Sequence, residues 1–522
     1  GFDDGYKNSA NLTKNDDGSW TIATTGSDPY VATSRLMKDL AKTETSLTFE
    51  YKADTLANLE VFFSTEAGNK YATGNSYKLG DAPAAEEWTR VTIDITKARS
   101  KWGWGKAGHT LRLDVGTAAG INFQIRDLRA CADAPAQLEG FTMKDGAIQI
   151  NSQEDFDKWV AGFNTFMTKP VIVDTDVVLN TDVTLTSAKG TPIPQVNSVF
   201  DGKGHKMTLD ITHIEAGVNV EVGCAPIGLL YGTVKNLVVD GTNTSNTKYL
   251  ASIAKDCHAG SLIENVTSYV NLISEISGDG THGGINGRNE GSTTFRNVVF
   301  AGTISGTVTT SCGGITGWCN ARSLYEGVLM IGDIQVDQTN CNTITRNQGN
   351  AVIKNVYASA AFNETPGGVV IATPEQLASG EVTYKMNGSK SEGELAWFQT
   401  IGVDSIPCLF EGDVVYFYGR QYMNEKPNPQ LNAFAYDVQA NLKGSNVVVE
   451  FKLNAEAEAA AVKFYDGETL VYTESVSELA AGANSVSVAA ANLGSEPTAL
   501  SYEVEVKGKG SLDFLKVGES IK

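Results

Sequence analysis

Basic residues are in short supply. The 522-residue chain carries 41 Lys and Arg against 61 Asp and Glu, a formal charge of −20. A field of that sign repels phosphate backbones and anionic membrane surfaces, which sets nucleic acid aside as a partner. Acidic polysaccharides are disfavoured as well, unless a local basic patch overrides the field. Long apolar runs are missing, and no stretch approaches the roughly 18 residues of a membrane span. Cysteine is sparse and odd in number, at positions 131, 224, 257, 312, 319, 341 and 408. That spacing gives neither a disulfide framework nor a CxxC metal pattern, so buried small hydrophobes are expected, with at most one incidental bridge. GxSxG, HExxH and Walker sequences are all lacking. The chain opens on GFDDGYKNSA without an initiator Met, which reads as a mature or trimmed exported chain.

What is plentiful is glycine, with 53 residues, together with Thr, Val and Ser in runs that alternate apolar and polar. This is the pattern of an all-β protein with few helices. Residues 1–135 read as an antiparallel β-sandwich, from segments such as TSLTFEYKADTLANLEVFFST, HTLRLDVG and INFQIRDLRA. A linker at 132–137 leads to a predicted helix over 152–167, where Ser152 can cap and Phe156, Trp159 and Phe163 share one face.

A repeat follows. LYGTVKNLVVDGT, HAGSLIENVTSYV, NEGSTTFRNVVFAGTI, NARSLYEGVLMIGDI and NQGNAVIKNVYASA align on Asn236, Asn265, Asn297, Gly327 and Asn355, with gaps of 29, 32, 30 and 28 residues. A period near thirty with strand chemistry predicts stacked coils whose inward side chains share one core. Asn at the turn tolerates left-handed backbone and can form hydrogen-bonded ladders. The 152–167 helix is placed to cap the first coil, and a short helix from Pro374 with the apolar segment to 418 closes the other end. After a linker at 424–430, evenly spaced strands predict an Ig-like or fibronectin-like sandwich. The expected architecture is therefore all-β: a sandwich over 1–135, a capped β-helix over 136–423 and a second sandwich over 424–522.

The pattern GGIxGxxxxGxxxxRNVxxxGxI at 283–304 resembles the GLUG motif of bacterial surface and secreted proteins, and the coils are those of a right-handed parallel β-helix. LASGEVTYKMNG with AWFQTIGVDSIPCLFEGDVVYFY is similar to a segment that follows such coils in gut-bacterial cell-surface proteins. NAFAYDVQANLKGSNVVVEFKLNAEAEAAAVKFYDGE is similar to an Ig-like module of the same proteins, and WTRVTIDIT with WGWGKAGHTLRLDVG resembles carbohydrate-binding-module jelly rolls. The resemblance implies an extracellular protein at the bacterial outer-membrane surface or secreted, which binds glycan or adheres. It also implies a lipid anchor upstream of the chain and leaves room for a further domain after residue 522.

Candidate site residues follow from this. In KWGWGKAGH an extended backbone puts Trp102 and Trp104 on one side, as a platform for the apolar faces of sugars. Lys101, Lys106 and His109 would supply hydrogen bonds, and Tyr30, Tyr6 and Trp20 are further platform candidates. Asp3, Asp4 and Asp127 could hold a structural calcium if the first and last sandwich strands pair; no other cofactor is required. For a competing lyase or glycoside hydrolase, Asp174 and Asp176 could act as acid and base, with Lys203 or His205 as an alternative base. His258, His282, Arg288 and Glu290 lie on neighbouring coils. The preferred expectation is a binding protein for polysaccharide or surface glycan; the others are the β-helix enzyme and an adhesin for a protein ligand.

Overall fold

The computed structural model describes the chain except residues 135–137, 139, 218–219, 419, 428–432, 495–498, 509–514 and 521–522, and the side chains of residues 4, 515–517, 519 and 520. The linkers expected at 132–137 and 424–430 fall partly outside these described residues. Two compact units are formed, Gly1–Gly412 and Asp413–Lys522.

Alternation builds the first part. One antiparallel sheet runs in the order Phe2–Asn8, Tyr30–Thr33, Leu111–Val115, Ala57–Ser64, Tyr71–Ala82; the other runs Ala10–Lys14, Trp20–Thr24, Asn122–Cys131, Ser46–Ala53, Ala85–Asp94. In LRLDV, Leu111, Leu113 and Val115 point into the shared core with Phe63, Phe123 and Tyr51, which leaves Arg112 and Asp114 on the outer face.

The coils form a parallel β-solenoid of about seven turns. Its long sheet stacks Thr233–Ser245, Leu262–Ser268, Thr294–Phe300, Ser323–Met330 and Ala351–Ala358 in register, so that Val266, Val298, Val328 and Val356 lie one above another. A second sheet stacks Ile193–Val196, Ile227–Leu230, Ala254–Cys257, Asn286–Asn289 and Thr316–Cys319. Phe295, Val298 and Ile304 are fully buried, and the rings of Phe295 and Tyr325 stack at 4.8 Å. A Cβ on Gly283 would come within 2.5 Å of Gly317 N, and one on Gly284 within 2.4 Å of Gly314 O, both on the next coil. These glycines serve the close approach of one coil to the next. The seven cysteines are free, and all but Cys408 are buried.

The aligned residues take left-handed backbone at every coil, with φ of 52° at Asn236, 51° at Asn265, 52° at Asn297, 64° at Gly327 and 54° at Asn355. Asn236 Nδ2 donates to Asp201 Oδ1, Asn265 Nδ2 to Asn236 Oδ1 and Asn297 Nδ2 to Asn265 Oδ1, each at 3.0 Å. Gly327 offers no side-chain amide, and there Trp397 Nε1 donates to Asn297 Oδ1 at 3.3 Å. Asn355 Nδ2 turns to Met386 O at 2.9 Å. Asn265→Ala is expected to lower stability by about 2 kcal/mol, from two lost amide bonds and a strained left-handed alanine. Asn265→Gly incurs only the first of these, so the alanine variant should have the lower urea midpoint; the reverse order would discredit the left-handed strain, and a glycine variant as stable as the parent would discredit the ladder.

The helix Gln153–Gly162 starts at Ser152, whose Oγ accepts from Asp155 N, and it drives Phe156, Trp159 and, just beyond it, Phe163 into the first coils. At the other end the helices Pro374–Ala378 and Glu381–Met386 and the Trp397 segment cover Val299, Leu329 and Tyr357, which face outward from the long sheet. This segment closes the flank of the last coils, while the edge strand Val369–Ile371 pairs with Ala351–Ala358.

The loop after the first helix joins solenoid to sandwich. Phe166 meets Tyr51 edge-on at 5.9 Å, Met167 N donates to Leu79 O, and Lys97 Nζ bonds both oxygens of Asp174 at 2.8 and 3.0 Å. The second unit has a three-stranded sheet (Ala435–Lys443, Asn446–Leu453, Gly482–Ala489) and a four-stranded one (Thr469–Leu479, Ala457–Asp466, Leu500–Gly508, Leu515–Ser520) around Val449, Phe451, Val462 and Val504.

Candidate functional site

Trp102 and Trp104 do not form a shared platform. Gly103 and Gly105 take φ of 70° and 108°, which breaks the extended alternation that would have aligned the rings. Trp104 is 3% exposed, sits edge-on against Phe63 and donates from Nε1 to Thr110 O at 3.0 Å. It belongs to the core. Trp102 is half-buried against Phe63 and Tyr77, with Lys97 Nζ 5.5 Å from the ring centroid. Lys106 is exposed and paired with Asp39, and His109 is buried, its pKa lowered by that burial. Neither joins Trp102 in one site.

Asp3 and Asp127 lie on opposite sheets, because Phe2–Asn8 pairs with Tyr30–Thr33 and Asn122–Cys131 pairs with strands of the other sheet. Asp127 is tied to Arg90 and Arg129. Asp3 and Asp127 are thus not brought together for the expected calcium site, and the side chain of Asp4 lies outside the described residues. The acid–base candidates are held by structural bonds as well. Asp174 accepts from Lys97 and Asn197, Asp176 from Val199 N, and Asp182 from Lys206 N, beside His205 at 3.3 Å. Lys203 occupies a turn at φ 48°.

Among the coil candidates, His258 stacks on Tyr231 at 4.1 Å, and Arg288 bridges Asp256 and Glu290 at 2.8 and 2.6 Å. His282 lies apart from them in the interior, fully buried.

The outer face of the first sandwich sheet carries a tighter constellation. The registers Tyr30↔Asp114, Glu60↔Asp114 and Phe62↔Arg112 bring three strands together. The Arg112 guanidinium lies 3.8 Å from the Tyr30 ring centroid and 4.8 Å from that of Phe62. Its Nε and Nη2 donate to Asp114 Oδ1 and Oδ2 at 2.7 and 2.6 Å. Tyr6 contacts Tyr30 and Tyr71 at ring separations of 5.8 and 5.9 Å, extending the aromatic surface. Burial pushes the Asp114 carboxyl above the usual range, and the Arg112 charge only partly offsets this. Burial also opposes the Arg112 charge, but the Asp114 bonds and charge prevail and its pKa rises. Planar guanidinium and carboxylate between flat rings can meet paired hydroxyls and the apolar face of a pyranose together. Tyr30 and Tyr6 were visible in the sequence as rings; Arg112, Asp114 and Phe62 were not singled out, although alternation in HTLRLDVG marks the first two as outward.

No protein-family model matches the chain, and no curated protein matches it. Among solved structures, a variant of a family 29 carbohydrate-binding module is 14% identical with a TM-score of 0.19, covering 25% of this chain and 82% of its own. A family 29 module from Piromyces equi is 13% identical, with a TM-score of 0.18 and coverage of 24% and 78%. A xylan-binding module from Roseburia intestinalis is 12% identical, with a TM-score of 0.15 and coverage of 24% and 86%.

Proposed function

We propose that this is an extracellular glycan-binding protein, of the gut-bacterial surface type that its GLUG-like coils resemble. The outer face of the first sandwich sheet is its contact surface. The observation that carries the reading is Arg112, held between Tyr30 and Phe62 and locked in plane by Asp114. Two of its nitrogens are taken by Asp114, which leaves Nη1 for a ligand oxygen. The solenoid then serves as a rigid stem, and the second unit, read as Ig-like, leads toward an anchor or a further domain.

Affinity electrophoresis against a panel of neutral and acidic polysaccharides tests this. The chain should be retarded by at least one of them, and Arg112→Ala or Phe62→Ala should weaken that binding by about tenfold or more, as loss of a central contact does. Retention that ignores both substitutions, or no retention by any polymer, would sink the reading. Release of new reducing ends or unsaturated products from a bound polymer would establish the enzyme instead.

Acid should weaken binding early. Because the Asp114 pKa is raised, its carboxylate is protonated, and its grip on Arg112 lost, at a higher pH than an ordinary aspartate would allow. Titration of affinity with pH should show the decline beginning above the normal carboxylate range; affinity flat down to that range would count against Asp114.

A further inference from the structure

Beside the sheet face, where the sandwich meets the first coils, lies a cleft of about 700 Å³, adjoined by a smaller one of about 420 Å³. Phe62 and Glu60 belong both to the sheet and to this cleft, so the two are continuous. Its charge runs against that of the protein. Four lysines (Lys78, Lys97, Lys101 and Lys169) line it against two carboxylates, Glu60 and Asp174, in a chain whose net charge is −20. Lys97 is neutralised by Asp174. Among the described residues, no carboxylate lies within ion-pair distance of Lys78, Lys101 or Lys169.

Lys169 is the informative member. It is half-buried, and its pKa is lowered chiefly by desolvation and secondly by the like charge of Lys78, which the carboxylates of Asp81 and Glu60 only partly offset. A cation kept partly from water with another cation beside it is electrostatically unsatisfied, and an anion placed between them relieves both terms. The walls suit a sugar: Trp102 and Tyr231 present rings, while Gln195 and Asn197 present amides from the solenoid.

Resting on the glycan-binding reading, we infer that this cleft holds an anionic sugar unit, its carboxylate or sulfate received by Lys78, Lys101 and Lys169. The polymer recognised is then acidic, and it is gripped by sandwich and solenoid together.

The full chain is titrated calorimetrically with polygalacturonate, chondroitin sulfate and a neutral mannan at low and at physiological salt, beside the triple variant Lys78→Gln, Lys101→Gln, Lys169→Gln. These side chains are exposed or half-buried, and circular dichroism and the thermal midpoint verify that the variant folds. Expected is binding of polygalacturonate, chondroitin sulfate or both, weakened by salt and reduced about tenfold or more in the triple variant. The polymer that binds identifies carboxylate or sulfate. Acidic polymers that fail to bind, or that bind the triple variant equally, overturn the inference. Neutral mannan bound through Arg112 in that event would leave the sheet-face reading standing, whereas silence from all three polymers and the wider panel would remove both.

Discussion

Acidification from pH 6.5 to 5 is expected to remove about 2 kcal/mol from the Gly1–Gly412 unit through one imidazole, that of His282. The ring is fully buried, and desolvation lowers its pKa from 6.5 to about 3, with nearby Asp279 opposing the shift. Leu250 N donates to Nδ1 at 3.1 Å, so the ring proton sits on Nε2 and bonds Ser274 Oγ at 2.7 Å. Only the neutral ring fits both partners. Above pH 6.5 folded and unfolded chains both hold it neutral and the stability is complete. Below that value the unfolded chain takes up a proton that the folded chain refuses, and stability falls by about 1.4 kcal/mol per pH unit until the folded pKa is reached.

His109 and His258 are also lowered by burial and add to the same slope. Urea midpoints at pH 7.5, 6 and 5 check this against His282→Gln, which should be less stable at pH 7.5 but show a shallower decline. Parallel declines would show that His282 is not the titrating group.

Tyr325→Ala should lower stability by about 3–5 kcal/mol, the range for emptying a large buried aromatic site. Tyr325 is fully buried in the solenoid interior and stacked on Phe295, with an interplanar angle of 5°. Its hydroxyl donates to Thr316 Oγ1 at 2.9 Å and accepts from Asn289 Nδ2 at 3.3 Å. Tyr325→Phe keeps the ring and loses only these bonds, for which about 1–2 kcal/mol is expected. Thermal unfolding monitored for the Gly1–Gly412 unit separates the two. If both variants shift the transition equally, the stacked ring is not what holds these coils.

The solenoid was legible because stacking forces the same demand on every coil. Five successive turns take a left-handed residue at the same point, and Asn236, Asn265, Asn297, Gly327 and Asn355 supply it at nearly regular spacing. The Ser152 cap and the Phe156, Trp159 and Phe163 face were likewise local, each residue within four positions of the next. The proposed contact surface was not local. Tyr30, Phe62 and Arg112 are distant in sequence and become neighbours only through the sheet order, which no single strand encodes. The Trp102 and Trp104 pair misled for the opposite reason. Alternation counts positions but is blind to the sign of φ, and two glycines reversed what counting implied. Lys78, Lys97 and Lys101 come from the sandwich and Lys169 from the start of the short helix Lys169–Ile172 at its junction with the coils, so their convergence depends on how the two pack.

The asparagine ladder has a direction, since Asn297, Asn265 and Asn236 each donate toward the preceding coil and the run ends on the Asp201 carboxylate. A duplicated coil inserted between Asn265 and Asn297 would bring one donor and one acceptor and leave the series intact. No such insertion works at Gly327, where the open oxygen of Asn297 is already taken by the Trp397 indole. Gly327→Asn places a Cβ 2.7 Å from that oxygen and competes with the indole for it. The glycine thus ends the run of side-chain amides one coil before the stack itself ends at Ala351–Ala358, and the Trp397 indole closes its last oxygen.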